Sequence, residues 1–309
     1  MRALVADPAA TPALALADVP EPEPGPGELL LQMQAASVNR GEVRMAPLQP
    51  AGKVLGWDVA GTVLAAGEGV RGFDEGERVV ALDERGGSFA ERVVVPAAWA
   101  APLPAGLDAE RASTLPVAGL TALGTLRAAH AHAGDRLLVT GAAGGVGVLA
   151  VQLAVAEGIT VTGQVRSQER AATVRRLGAE PLLHAGDGAE VDGEFDVVLD
   201  GIGGSMFAPL VRALAPHGRL VAFGNSAGAD STFGIRDLYT RGATVRGFFV
   251  FTSVPPDQAV QDLALLADQV ASGRLEVLVQ AAAPLTGALP LLRDLLARRV
   301  TGKVVLTGA

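Results

Sequence analysis

Apolar positions in the first hundred residues fall in short runs, 29–36, 58–65, 78–82 and 90–95, set off by glycine and proline. Runs of that length between turn formers predict β-strands. Between Asp18 and Glu28, Pro20, Pro22, Pro24 and Pro26 stand at alternate positions. A segment lacking those amide donors cannot run through the middle of a sheet, so it is read as an extended surface connection. From about residue 115 the periodicity changes. Strands over 136–140, 160–165, 195–199 and 219–223 alternate with helices over 148–157, 168–177 and 206–214. That alternation predicts an α/β fold, a doubly wound parallel sheet covered by helices on both faces. A last strand over 243–251 ends the run. An amphipathic helix over 256–272, a helix over 286–297 and a terminal strand over 303–306 follow.

Composition narrows the picture. The 309 residues have the length of about two domains. With 49% hydrophobic and 19% charged residues, intrinsic disorder is excluded. The absence of cysteine excludes disulfides, a thiolate nucleophile, iron–sulfur clusters and Cys-ligated zinc. A net charge of −8 repels phosphate backbones, so no nucleic-acid partner is expected. The longest uncharged stretch, 137–156, carries Gly141, Gly144, Gly145 and Gly147. A strand, a tight turn and a buried helix explain it better than a membrane span, and no membrane association is expected. Asp7 and Pro8 interrupt what would be the apolar core of a signal peptide. The expected location is the cytoplasm.

The stretch after the strand at 136–140 reads Gly141-Ala142-Ala143-Gly144-Gly145-Val146-Gly147 and leads into an apolar helix. A strand, a glycine turn and a helix N-terminus make an anion site, because amides point outward and missing side chains let a pyrophosphate approach. Ala142, Gly144 and Gly147 occupy the fingerprint positions, with Gly145 and Val146 between them. A glycine-rich turn without a ligand is the alternative. About 20 residues on, a dinucleotide fold places an acid for the NAD ribose or a base for the NADP phosphate. Here Arg166, Ser167 and Arg170 stand at that strand end and no acid does. Charge-assisted bonds from these groups favour NADPH over NADH. The alternative is a solvated helix start in which Arg166 and Arg170 accompany Glu169.

Several further segments, together with the glycine loop, carry a resemblance. They are Ser37-Val38-Asn39, Gly56-Trp57-Asp58-Val59-Ala60-Gly61, Gly87-Ser88-Phe89-Ala90-Glu91, Leu115-Pro116-Val117-Ala118-Gly119-Leu120-Thr121-Ala122, Asp200-Gly201-Ile202-Gly203-Gly204, Phe223-Gly224-Asn225 and Gly302-Lys303-Val304-Val305-Leu306. Over nearly its whole length the chain resembles the zinc-independent quinone oxidoreductase (zeta-crystallin-like) group of the medium-chain dehydrogenases/reductases. The resemblance implies a GroES-like β-rich catalytic domain built from 1–118 and 252–309. It implies a Rossmann NADP-binding domain over 119–251, with the active site in the cleft between the two, and a homodimer joined through the last Rossmann strand. Zinc-dependent relatives carry Gly-His-Glu where this chain has Gly56-Trp57-Asp58. With His130, His132, His184 and His217 the only histidines, no metal is expected.

The resemblance also implies roles. Asn39 lies near the nicotinamide ribose and the acceptor, and Thr121 near the nicotinamide. Phe248, Phe249 and Val250 border the carboxamide, and Gly224 and Asn225 close over the cofactor. The family's Asn-x-x-Asp element appears as Asn39-x-x-Glu42, and Arg44 replaces a tyrosine. Arg40 and Arg44 either favour an anionic acceptor or bond backbone and Glu42 at the cleft rim. Trp57 either walls the pocket or belongs to the core. Lys303 either contacts cofactor or pairs with a nearby acid in a surface ion pair. Tyr239, the only tyrosine, falls ahead of the last strand and is a poor proton donor candidate. Without a metal, the chemistry rests on hydride donation and hydrogen bonds to the oxygen that gains charge. Quinones are the expected acceptors. The alternatives are α,β-unsaturated aldehydes or ketones, or a non-catalytic NADPH-binding sensor or structural protein.

Overall fold

The computed structural model describes residues 1–183 and 190–308. The chain forms two units, one of Met1–Leu120 with the stretch from Val254 onward, the other of Thr121–Ser253.

The first unit opens with β1 (Arg2–Ala6), β2 (Leu14–Asp18) and the eleven-residue β3 (Glu28–Val38). A short helix, α1 (Arg40–Met45), leads to β4 (Asp58–Ala66), β5 (Arg78–Leu82), β6 (Arg92–Pro96) and β7 (Ala100–Pro102). Helices α2 (Ala109–Ser113) and α3 (Pro116–Ala128) follow, and the chain enters the second unit within α3. In β3 the first six residues alternate between half-buried and buried, the period of a sheet with one face on a core. Leu29, Leu31 and Met33 face Val59, Val63, Val79, Phe89, Val93 and Val95 in that core.

The second unit is a six-stranded, all-parallel sheet of β8 (Arg136–Val139), β9 (Thr160–Val165), β10 (Glu180–Leu183), β11 (Phe195–Asp200), β12 (Leu214–Ala222) and β13 (Thr244–Gly247). Between its strands run α4 (Gly145–Ala156), α5 (Gln168–Arg176), α6 (Phe207–Arg212) and α7 (Ile235–Tyr239), and after β13 comes α8 (Val250–Ser253). Strand order β10-β9-β8-β11-β12-β13 is that of a doubly wound dinucleotide fold, with its switch point between β8 and β11.

The chain then returns to the first unit through α9 (Pro256–Ala271), β14 (Val279–Pro284), α10 (Ala288–Leu296) and β15 (Lys303–Thr307). β15 lies between β14 and β3, antiparallel to β3 with Val304 opposite Val38 and Val305 opposite Ser37. One step beyond that ladder, Lys303 comes opposite Asn39. Residues from the two ends of the chain thus share one site.

Three expectations need correction. The strand over 243–251 stops at Gly247: Phe248 donates its N–H to Ala222 and its ring lies over Gly124, where a Cβ would come within 2.8 Å of Cε2. The Phe249 carbonyl then accepts from the Thr252 and Ser253 amides, which winds the chain into α8. The helix over 148–157 begins three residues earlier, so Gly145, Val146 and Gly147 form its first turn. The helix over 206–214 ends at Arg212, and β12 starts at Leu214, upstream of its expected start.

Candidate functional site

In the second unit the switch point is organised by a buried carboxylate. Asp200, at the end of β11, accepts from the Thr140 hydroxyl (2.7 Å), the Ile202 amide (2.9 Å) and the Gly203 amide (3.0 Å). Burial pushes its pKa up, and those three donors oppose the shift. Thr140 in turn accepts from Gly201 N–H at 3.0 Å, so the ends of β8 and β11 are tied together. Gln164 of β9 holds the glycine loop from the other side, its Oε1 accepting from Gly141 N–H and its backbone carbonyl from Ala142 N–H, each at 3.0 Å.

Gly144 is the N-cap of the twelve-residue α4. The amides of Gly145, Val146 and Gly147 fall in a first turn that has no helical carbonyl to bond, and the helix dipole makes that end positive. At Gly147 a Cβ would meet the Gly141 carbonyl oxygen and lie 2.6 Å from Ala142 Cα. At Gly144 a Cβ would have only the Gly141 oxygen near it, at 3.2 Å. The loop is thus packed tight behind Gly147 and open in front of Gly144, the shape a pyrophosphate needs.

Arg166 is exposed at the end of β9, Arg170 is half-buried, and Ser167 caps α5 by accepting from Arg170 N–H at 3.3 Å. Thr121 is buried on α3, Phe248 and Val250 are buried, and Phe249 is 49% exposed. Gly224 is exposed; the Asn225 side chain closes its own loop, accepting from Gly228 N–H and donating to the Ala229 carbonyl.

In the first unit the buried Glu42, Asp58 and Lys303 and the half-buried Asn39 form one cluster. Lys303, 6% exposed, donates from Nζ to Asn39 Oδ1 (2.6 Å) and lies 3.6 Å from Asp58 Oδ2. Asn39 donates from Nδ2 to that same Oδ2 (2.8 Å), while Asp58 Oδ1 accepts from Val117 N–H at the start of α3 (3.0 Å). Glu42 accepts from the backbone N–H groups of Asn39 (2.5 Å) and Trp57 (3.0 Å). Burial, then the nearby Asp58 charge, push the Glu42 carboxyl up to about 8. Burial also raises Asp58 and lowers Lys303, each opposed by the other's charge.

Trp57 is half-buried and follows Gly56, whose φ of +103° and contact with the Phe89 ring and amide leave no room for a side chain. Arg40 reaches toward the Leu296 carbonyl at the end of α10 (3.5 Å), and Arg44 is exposed. Lys303 pairs with Asp58 in a buried position, which corrects the reading of a surface ion pair. The sequence reading did not pick out Thr140, Gln164, Asp58 or Asp200 as organisers. The signal for Asp200 was an acid at a strand end followed by Gly201 and Gly203, an Asx-turn pattern.

Among the described residues no group of three or more His, Asp or Glu side chains is placed to hold a metal ion; His184 lies outside them. The donor set does not suit zinc: Glu42 and Asp58 are engaged with amides and Lys303. No helix among the described residues is long and apolar enough to cross a membrane.

Comparison with known proteins agrees with this architecture. Residues 25–105 match the alcohol dehydrogenase GroES-like domain family, and 145–268 the family described as zinc-binding dehydrogenase. A quinone oxidoreductase of Pseudomonas aeruginosa is 30% identical, over 84% of this chain and 83% of its own. A 2-haloacrylate reductase of a Burkholderia species is 34% identical, over 62% and 61%. A mycobacterial structure complexed with NADPH superposes with a TM-score of 0.91 at 28% identity, covering 99% of this chain and 100% of its own. The chain belongs to the medium-chain dehydrogenase/reductase family of oxidoreductases, in its quinone oxidoreductase group.

Proposed function

We propose that the protein is an NADPH-dependent, metal-free reductase of quinones. The observation that carries this is the cradle in front of Gly144 at the start of α4, with Arg166, Ser167 and Arg170 at the end of the neighbouring β9. The α4 amides suit the pyrophosphate, and the two guanidinium groups with the Ser167 hydroxyl suit a 2′-phosphate. The bound cofactor supplies a hydride. Thr121, Phe248, Phe249 and Val250 are assigned to its nicotinamide, Gly224 and Asn225 to its outer face, with Ala142, Gly145, Val146 and Gly147 shaping the cradle. Asn39 uses one of its two amide hydrogens on Asp58, so the other is available to the acceptor oxygen as charge develops there. Arg40, Glu42, Arg44 and Trp57 complete the acceptor side: Glu42 holds the backbone, and Arg44 offers positive charge.

A second reading, reduction of an α,β-unsaturated carbonyl, is favoured by the likeness to a protein named 2-haloacrylate reductase. Both acceptors spread the incoming charge over a conjugated system. The purified, chelator-treated protein is expected to oxidise NADPH when a quinone is added, with NADPH preferred over NADH. Arg170→Ala is expected to reduce that preference roughly 10-fold or more, the loss of one charge-assisted bond. Turnover with an alkenal in place of the quinone would transfer the assignment to enones. Tight NADPH binding without turnover of either would favour a sensor or structural role.

One edge of the parallel sheet is β13, with Thr244, Arg246 and Gly247 exposed along it. An open edge of this kind is suited to pairing with a second copy across a two-fold axis. The expected assembly is a cytoplasmic homodimer. Light scattering at micromolar concentration should return twice the 31.3 kDa chain mass, and the single mass would contradict it.

A further inference from the structure

We propose that Lys303 and Asp58 are positioning residues that hold the Asn39 carboxamide in one orientation toward the acceptor. The inference rests on the assignment of Asn39 to the acceptor made above. A carboxamide has two ends of nearly equal shape, and a half-turn exchanges its donor with its acceptor. Here Nζ of Lys303 lies 2.6 Å from Oδ1 and Oδ2 of Asp58 lies 2.8 Å from Nδ2. The reversed amide would set its NH2 against an ammonium and its oxygen against a carboxylate. Both charge-assisted bonds would become repulsions.

The two partners are themselves held. Asp58 is fully buried, its second oxygen fixed by the Val117 amide, and Lys303 is placed opposite Asn39 by the β15–β3 register. Glu42 fixes the Asn39 backbone through its N–H. Lysine is almost never this buried without a paired role, since removing its charge from water is costly. The arrangement leaves the second Asn39 N–H in a single direction, and a donor aimed beforehand stabilises developing charge without reorganising.

A double-mutant cycle between Lys303→Met and Asn39→Ala tests this, using the full-length protein with NADPH and a quinone. Lys303→Met is expected to lower kcat at least 10-fold in the native background and less than 2-fold when Asn39 is already alanine. NADPH affinity should stay within 2-fold. The Asn39 carboxamide NMR signals, identified by their loss in Asn39→Ala, should be sharp and distinct in the native protein and shift in Lys303→Met. Lys303→Gln, which keeps a donor for Oδ1 and loses the charge, serves where the methionine variant does not fold and should recover kcat to within a few-fold.

Equal losses in both backgrounds would overturn the proposal, because Lys303 would then act without Asn39. An unchanged kcat in the native background would overturn it too. Full activity of Asn39→Ala would instead remove Asn39 from the acceptor site. Absence of quinone turnover by the native protein would strike the functional reading itself.

Discussion

Gly144→Val is expected to abolish NADPH binding, with a fall in affinity of at least 100-fold, while the protein stays folded. Gly144 has φ −86° and ψ 174°, an extended conformation that valine adopts readily. A Cβ there would touch nothing but the Gly141 oxygen, at 3.2 Å, so the side chain projects into the open space before α4. Filling that space displaces a pyrophosphate from the α4 amides. Gly147→Ala should behave in the opposite sense. Its Cβ would press on the backbone of Gly141 and Ala142, which cannot yield as a side chain tip does, so stability falls by about 1–3 kcal/mol. Calorimetric titration with NADPH and thermal unfolding of both variants separate the two effects. Unchanged affinity in Gly144→Val would refute the cradle.

The same contrast explains what could be read from the sequence. The glycine loop and the alternation of β8, β9, β11 and β12 with helices are local patterns, and local patterns survive in a linear chain; the four-residue β10 is too short to show one. Helix α3 is different. It contains Gly119 and Gly124, which lower helix propensity and blur its pattern in the sequence. Both glycines answer to distant partners: a Cβ at Gly119 would lie 2.9 Å from Leu266, and one at Gly124 would strike the Phe248 ring. Tertiary packing therefore asked for residues that weaken the local signal. The Phe248-Phe249-Val250-Phe251 run shows the converse, strong β formers wound into a helical turn because Phe248 fills the Gly124 notch. Strands β2 and β14 escaped because alanine fills much of their pattern and carries little β preference. In the acceptor-side cluster, Asn39 and Lys303 are 264 positions apart, and only the return of β15 beside β3 unites them. No spacing rule reaches that far.

Stability should fall as pH rises from about 4.5 to about 8, by a few kcal/mol, and Glu42→Gln should reduce that slope. Glu42 is 3% exposed and its carboxyl is raised from 4.5 to about 8, first by burial and then by the charge of Asp58. Backbone donation from Asn39, the Lys303 ammonium and donation from Trp57 oppose the rise. Between those two values the native chain binds a proton that the unfolded chain has released. Linkage then makes the contribution complete at the acid end of the window and lost as pH passes through about 8. Asp58, raised by the same burial, adds a slope of the same sign, while Lys303, lowered by burial, adds the opposite sign below its ordinary value.

Below the window other groups take over. Glu28 and Asp196 are held below the usual carboxylate range by Arg85 and Arg136, so their stabilisation is lost on acidification. Stability should therefore peak near the ordinary carboxylate range, about pH 4 to 5. Both tryptophans, Trp57 and Trp99, lie in the first unit, so their fluorescence in urea reports the unit that holds the cluster. Parallel pH profiles for the native protein and Glu42→Gln would show that the carboxyl is ionised throughout. The two amide bonds it accepts would then outweigh its burial beside Asp58, and the cluster would carry two negative charges against one positive at every physiological pH.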